Sequence, residues 1–157
     1  MGEGKAALIK GVKRAQGLIL QKGNPKGIRD VADLAREDVL FVNRQKGSGT
    51  RILLDYLLKQ NQMAPEGIRG YQREMTTHMA VAAAVKSGTA DAGIGVFSAA
   101  SVMDLEFIEI GFEEYDFAAL NQYMETELMD AFVGTLKSWE FQEILNRLGG
   151  YEMSLTP

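Results

Sequence analysis

The feature that most constrains the fold is a glycine-containing turn between an apolar run and an amphipathic segment. Residues 39–42 have the length and the β-branched content of a buried strand. Residues 53, 54, 57 and 58 place apolar side chains on one face of a helix. Gly47 and Gly49 let the backbone between the apolar run and the helical segment turn sharply, and they let a ligand come close. Residues 43–51 therefore predict a strand end, a turn and a helix N-terminus.

The same turn carries groups that suit a small anion. A helix N-terminus presents unpaired N–H groups and the positive end of its dipole. Ser48 and Thr50 add hydroxyl donors, and Arg44 and Arg51 add guanidinium groups. We expect Arg44 to face the ligand from the strand end and Arg51 to point to solvent. The alternative is that one hydroxyl caps the helix and both arginines are solvated, but a cap explains only one hydroxyl.

Composition excludes several classes of function. A net charge of −4, without a basic run, argues against nucleic-acid binding. The absence of Cys and the single His, His78, argue against a metal site, and we expect no cofactor. No apolar run approaches the ~18 residues of a membrane helix. The sequence as written predicts a cytoplasmic protein, or a periplasmic one if an export signal has been removed.

Apolar periodicity predicts alternating helices and strands along the chain. The alternation indicates βαβ units, and hence an α/β fold with a mostly parallel sheet flanked by helices. Ligands bind such sheets beyond the carboxyl ends of the strands. The predicted helices are 5–15, 30–34, 49–62, 76–86, 97–103, 125–134 and 138–148, and the predicted strands are 17–21, 39–42, 69–73, 91–96, 106–110 and 115–120.

A second helix start and one tyrosine are further candidates. Thr77 and His78 begin the predicted helix at 76–86, where they could face the anion, although capping and partial burial explain them as well. Tyr115 fits a core strand residue with a hydrated hydroxyl as well as a ligand contact. A hydrolase built on Ser48 is not expected, because the turn lacks the Gly-x-Ser-x-Gly elbow. Residues 113–114, both Glu, are interpreted as a solvated turn.

Residues 43–51 resemble the signature of the substrate-binding-protein-like domain of the type II periplasmic-binding-protein superfamily. The resemblance is strongest to its molybdate- and tungstate-binding branch, and it continues through residues 17–19, 23–25, 77–85, 88–95 and 115–116. It implies a two-lobed oxyanion receptor that is not an enzyme. The ligand-binding residues it implies are Arg44, Ser48, Gly49, Thr50, Arg51, Thr77, His78 and Tyr115.

The family domain normally begins with a further βαβ stretch, whereas about 16 residues precede Gly17 here. We therefore expect a domain truncated at the N-terminus, with a nearly complete lobe at 27–120 that carries the anion-binding loop. A curtailed lobe would comprise residues 1–26 and 121–157. Apolar surface around Leu18 and Leu20 would then be exposed. This predicts weak binding by the chain alone, and either a homo-oligomer or a fused or partner domain.

The expected function is non-catalytic binding of a small tetrahedral oxyanion, most simply molybdate or tungstate. Phosphate carries a proton at neutral pH and would need a carboxylate acceptor. No acidic residue flanks residues 47–51, which favours molybdate, although the missing part of the domain could hold one. A phosphate-type receptor stays as an alternative. Another is an effector or interaction domain of a larger regulatory or molybdenum-cofactor biosynthesis protein.

Overall fold

The structure, a computed structural model, describes residues 6–120, 143–144, 146–147 and 149–153. Within residues 6–120 and 149–153 lie six strands and three α-helices, together with two short 3₁₀ helices at Val31–Ala35 and Pro65–Gly67. The strands are β1 Ala6–Leu20, β2 Phe41–Arg44, β3 Glu74–Met75, β4 Ala92–Val96, β5 Glu106–Leu120 and β6 Tyr151–Met153, and the helices are α1 Gly49–Gln60, α2 His78–Lys86 and α3 Phe97–Val102.

The strands form one sheet in the order β3-β2-β4-β1-β5, and β6 also pairs with β1. Strand β2 runs parallel to both β3 and β4, whereas β1 runs antiparallel to both β4 and β6. Helices α1 and α2 lie between the successive parallel strands, as the crossover connections of such strands require. The predicted α/β fold is confirmed, and the sheet is mixed.

The chain forms two compact units, Ala15–Glu113 and a second one made of Met1–Arg14 and Glu114–Pro157. Both divisions fall within strands, β1 and β5. Division into lobes at residues 26 and 120 stays a prediction.

The core of the unit Ala15–Glu113 consists of two apolar clusters. Successive residues of β1 divide between them, because side chains alternate across a strand: Leu18 and Leu20 join one cluster and Ile19 joins the other. The first cluster packs Leu54 and Leu58 of α1, and the second includes Val81 and Val85 of α2.

Leu18 and Leu20 are 0% and 1% exposed. The prediction of bare apolar surface around them was wrong, since the first cluster covers them.

Three predicted elements differ in the structure. Residues 5–15 were predicted as a helix, but Ala6 onwards is strand β1, where the pairing of residues 12–14 with β6 outweighs a helical period that Gly11 already weakens. The predicted strands at 106–110 and 115–120 are one continuous strand, β5. Residues 69–73 form turns, and only Glu74–Met75 is a strand there.

The two predicted helices nearest the C-terminus lie mostly outside the described residues. Helix 125–134 lies wholly outside them, and of 138–148 only residues 143–144 and 146–147 are described, as helical. None of the described helices combines the length and the apolar character that a membrane crossing requires.

Candidate ligand-binding site

Three strands end at one edge of the sheet. Because β2 is parallel to β3 and β4, their carboxyl ends share this edge, with Arg44 beside Met75. Gln16 of the antiparallel strand β1 lies opposite Val96, the last residue of β4, and so reaches the same edge. Helices α1 and α2 begin a few residues after β2 and β3. Their N-termini and the N–H groups of their first turns therefore lie at this edge.

The N-terminus of α1 is capped by Ser48, whose hydroxyl oxygen accepts a hydrogen bond of 3.1 Å from the Arg51 N–H. Thr50 is buried, and its hydroxyl donates a hydrogen bond of 2.5 Å to the side-chain oxygen of Gln16. The Thr50 hydroxyl is thus used inside the protein. Ser48 is partly exposed and Gly49 is exposed at the sheet edge.

A carboxylate occupies the space in front of Gly49. Glu113 lies on β5, is partly exposed and accepts a hydrogen bond of 2.6 Å from the amide nitrogen of Gln16. Its other oxygen, Oε1, lies 2.5 Å from where a Cβ on residue 49 would stand. The Glu113 carboxylate therefore occupies the space that is open because Gly49 has no side chain. The interpretation of Glu113 as a solvated turn residue was wrong, and no spacing in the sequence reveals this contact, because it depends on β5 lying beside β1.

Arg44 joins the end of β2 to the start of α2. Its side chain is buried at 7% exposure, and it donates hydrogen bonds to the carbonyl oxygens of Met75 at 3.3 Å and Thr76 at 3.1 Å. Its Nη1 lies 2.8 and 2.9 Å from the two ring nitrogens of His78. A guanidinium can only donate, so the His78 nitrogen that accepts is an unprotonated one. Arg44 therefore places positive charge at the N-terminal turn of α2.

The N-terminus of α2 has its own hydroxyl cap. The Thr77 oxygen accepts a hydrogen bond of 3.0 Å from the Ala80 N–H. Thr76 and Thr77 are exposed, and His78 is partly buried. The second helix start predicted here is confirmed, with Thr77 in the cap position.

Arg51 turns away from this edge. It is 3% exposed, lies 4.4 Å above the Tyr71 ring, and donates to the Arg44 carbonyl at 2.9 Å and to a Glu74 carboxylate oxygen at 3.2 Å. The Tyr71 hydroxyl donates to Asp55 at 2.5 Å. Burial, aided by the Asp55 carboxylate, raises the pKa of Tyr71 above its usual value. The expectation that Arg51 points to solvent was wrong, because it holds the end of β2 in place.

The structure therefore brings part of the predicted set together. Arg44, Ser48, Gly49, Thr77 and His78 lie at the shared sheet edge, whereas the Thr50 and Arg51 side chains are committed beneath it. Tyr115 belongs to β5, and its side chain lies outside the described part. Among the described side chains, no group of three or more His, Asp or Glu residues is placed to hold a metal ion.

The family model described as "PBP superfamily domain" matches residues 1–137. The chain belongs to the PBP superfamily. The resemblance deduced from residues 43–51 is thereby confirmed, and the fold it implied is the one observed.

Two relatives share substantial sequence. The uncharacterized protein YvgK of Bacillus subtilis is 42% identical over 149 residues, which make up 95% of this chain and 48% of that protein. This chain thus spans about half of YvgK. A protein of Clostridium pasteurianum, described as an uncharacterized protein in the 5′ region of the ferredoxin 2Fe-2S gene, is 33% identical over 106 residues. Those residues make up 67% of this chain and 94% of that protein.

Solved structures share the fold at low sequence identity. The substrate-binding domain of a putative molybdenum ABC transporter from Clostridium difficile superposes with a TM-score of 0.67 at 18% identity, over 92% of this chain and 66% of that one. The Synechocystis CcmR regulatory domain, in complex with 2-PG, gives 0.62 at 17% identity, over 84% and 65%. PEB3 with bound L-phospholactate gives 0.61 at 18% identity, over 92% and 68%. The fold is that of a small-ligand-binding domain.

Proposed function

We propose that this chain binds a small tetrahedral oxyanion at the sheet edge where α1 and α2 begin, without catalysing a reaction. The observation that supports this most directly is the placing of Arg44. The parallel strands β2 and β3 lead the two helix N-termini to one edge, and the guanidinium of Arg44 lies between the end of β2 and the first turn of α2.

The electrostatics of this arrangement favour an anion. Each helix N-terminus carries the equivalent of roughly half a positive charge and several N–H donors. Arg44 adds a full positive charge at the same place. An oxyanion bound here would interact favourably with all three groups. Because Arg44 is largely buried, its interaction with the anion would be screened less than on an open surface.

Other observations bear on which oxyanion is bound. Molybdate or tungstate is supported by the resemblance of residues 43–51 and by the fold shared with the Clostridium difficile domain. The titles of other structures with this fold name L-phospholactate and 2-PG, so the fold alone does not select molybdate. One specific observation favours a phosphate-type oxyanion. Glu113 places a carboxylate beside Gly49, where the sequence did not lead us to expect one.

Titration calorimetry with molybdate, tungstate, sulfate and phosphate tests the proposal. We expect heat from at least one anion, with a Kd above about 10 μM for this chain alone. Arg44→Ala is expected to weaken binding by about 1.5–3 kcal/mol, the range for a hydrogen bond to a charged group. Arg69→Ala is the matched control, since Arg69 is exposed and lies beside the first residue of β2, at the opposite end of that strand.

The contrary result is equally clear. If none of the four anions gives heat with a folded chain, the oxyanion proposal is wrong. That outcome would favour the alternative of an effector or interaction domain. Equal losses from Arg44→Ala and Arg69→Ala would place the ligand somewhere other than this edge.

A further inference from the structure

We infer that Asn43 and Arg51 are positioning residues, which set the direction of the Arg44 side chain by holding its backbone from both sides. They act on the ligand only through Arg44. The inference rests on the proposed oxyanion site, and it names the residues that orient the cation of that site.

Arg44 lies just beyond the pairing of β2 with β4. In the described register this pairing ends at Val42, which lies opposite Gly93. The N–H groups of Asn43 and Gln45 both donate toward β3 and the turn before it. Because the backbone groups of successive strand residues face opposite edges, the N–H and C=O of Arg44 face the side of β4, after the pairing has ended. Sheet pairing with β4 therefore does not fix them.

Two buried side chains fix these backbone groups instead. The Arg44 N–H donates a hydrogen bond of 2.9 Å to the side-chain oxygen of Asn43, which is 0% exposed. The Arg44 carbonyl accepts a hydrogen bond of 2.9 Å from Nη1 of Arg51, which is 3% exposed. One bond restrains the peptide before the Arg44 Cα and the other restrains the peptide after it. Since the rotamers open to a side chain depend on its backbone dihedrals, the two bonds together set its direction.

The two supporting side chains are themselves held in one orientation. The amide nitrogen of Asn43 donates to the Tyr71 carbonyl at 3.1 Å, which turns the amide oxygen toward Arg44. The planar guanidinium of Arg51 also donates to Glu74 at 3.2 Å and to the Tyr71 hydroxyl at 3.3 Å. Neither support can rotate without losing a second buried hydrogen bond. The backbone of Arg44 therefore rests on a rigid frame.

A rigid frame matters because the charge of Arg44 is useful to a ligand only where it points. A cation that is already oriented does not have to be ordered when the anion arrives, so less of the binding free energy is lost. Loosening the frame would keep the charge of the chain and still weaken binding. This separates positioning from a simple loss of charge.

A purely structural role for the two residues makes a different prediction. The Arg44 guanidinium already contacts the carbonyls of Met75 and Thr76 and the ring of His78. If these contacts alone held it, changes at Asn43 and Arg51 would lower the stability of the chain and leave the guanidinium in place.

NMR of the His78 ring tests the positioning without any ligand, because the chain contains a single His. Nη1 of Arg44 lies 2.8 and 2.9 Å from the two ring nitrogens, so the ring proton signals report where the guanidinium is. Arg44→Ala defines these signals for a ring without this neighbour. For Asn43→Ala and Arg51→Met we expect the signals to move in the same direction as in Arg44→Ala.

Titration measures what the positioning contributes to binding, with whichever of molybdate, tungstate, sulfate and phosphate the unaltered chain binds. We expect Arg51→Met to weaken the affinity by about fivefold, less than the loss of Arg44 itself. In a chain that already carries Arg44→Ala, adding Arg51→Met is expected to cause no further loss. A residue that acts through Arg44 has no effect on the ligand once Arg44 is gone, so the two losses do not add.

Ile28→Val is the control for a loss of stability alone. Ile28 is 1% exposed in the first apolar cluster, and shortening it lowers stability without removing either support of Arg44. We expect it to change neither the His78 signals nor the affinity. Thermal unfolding shows which variants are folded. If Arg51→Met is not, Arg51→Lys replaces it, because the single nitrogen of a lysine cannot keep the bonds to Arg44 and to the Tyr71 hydroxyl together.

The outcomes separate this inference from the function on which it rests. Moved His78 signals together with losses of affinity that do not add support it. Unmoved signals, or losses that add in the double variant, overturn it and leave the oxyanion site in place. If the unaltered chain binds none of the four anions, the oxyanion proposal is wrong, and the His78 signals still decide whether Asn43 and Arg51 position Arg44.

Discussion

The side-chain amide of Gln16 donates a hydrogen bond of 2.6 Å to Glu113, which lies 97 positions further along the chain. The same amide accepts from Thr50 at the start of α1. One buried side chain therefore ties together strand β1, strand β5 and helix α1 within the unit Ala15–Glu113.

Gln16→Leu is predicted to lower the free energy of unfolding by about 1–3 kcal/mol, because it leaves the buried Thr50 hydroxyl without its acceptor. Urea unfolding followed by circular dichroism measures the change. Gln21→Leu is the control, since Gln21 is partly exposed and makes a longer bond of 3.3 Å to the Ala90 carbonyl. Equal losses in the two variants would contradict a special role for the Gln16 bonds.

Gly70→Ala is predicted to be strongly destabilising, well beyond the ~1 kcal/mol typical of glycine substitutions. Gly70 has a φ of +92°, and a Cβ there would lie 1.9 Å from the Phe41 carbonyl oxygen. Gly67→Ala is the matched control, because a Cβ on Gly67 meets nothing within 4 Å. Thermal unfolding of the two variants tests the difference, and similar midpoints would show that the turn at Gly70 can relax.

Much of the fold was predictable because local signals agree with the tertiary structure. The apolar run before Asn43 and the helix after Ser48 each have a clear period, and Ser48 and Thr77 occupy the cap positions that their types favour. Residues 6–15 were mispredicted because β6, the strand that pairs with residues 12–14, lies far away in the sequence. A local period cannot report such a partner.

The candidate site was predictable only in part, for a related reason. The residue types at 44–50 indicated an anion site, but they could not show which donors are already used. In the structure, Arg51 donates a hydrogen bond to the Arg44 carbonyl and Thr50 donates one to the Gln16 side chain, so both donors are used inside the protein. Glu113 was missed because only the neighbouring places of β1 and β5 in the sheet bring it near Gly49.

Tyr71 predicts a pH dependence of stability. Its raised pKa means that the folded state holds the phenolic proton more tightly than the unfolded state does. The resulting stability is fully present below pH 10, the usual value, and is lost as the pH rises through the raised pKa of the folded state. Tyr71→Phe lacks this contribution. We expect its stability to fall less than that of the unaltered chain in urea unfolding between pH 9 and pH 11, and parallel curves would contradict the assignment.

Arg51→Lys is predicted to destabilise the chain by about 1–3 kcal/mol although the charge is kept. A lysine has a single nitrogen, so it cannot keep the Nη1 bonds to Arg44 and Glu74 together with the Nε bond of 3.3 Å to the Tyr71 hydroxyl, and it has no planar group to present to the Tyr71 ring. Arg36→Lys is the control, since Arg36 pairs with Asp38 at the surface, and it is expected to cause no measurable change. Urea unfolding compares the two, and a silent Arg51→Lys would show that charge alone is required there.

The pairing of β1 with β4 has a consequence for the order of folding. Residues 16–20 are synthesised well before the strand that pairs with them, which ends at residue 96. Until β4 has been synthesised, the backbone groups of the apolar end of β1 lack their partners from that strand. Strands with unpaired backbone groups readily associate with other chains. Folding that requires closure of so long a loop is also slow. Nascent chains that stop before Ala92 should therefore aggregate, whereas chains that include Val96 can pair one edge of β1 with β4.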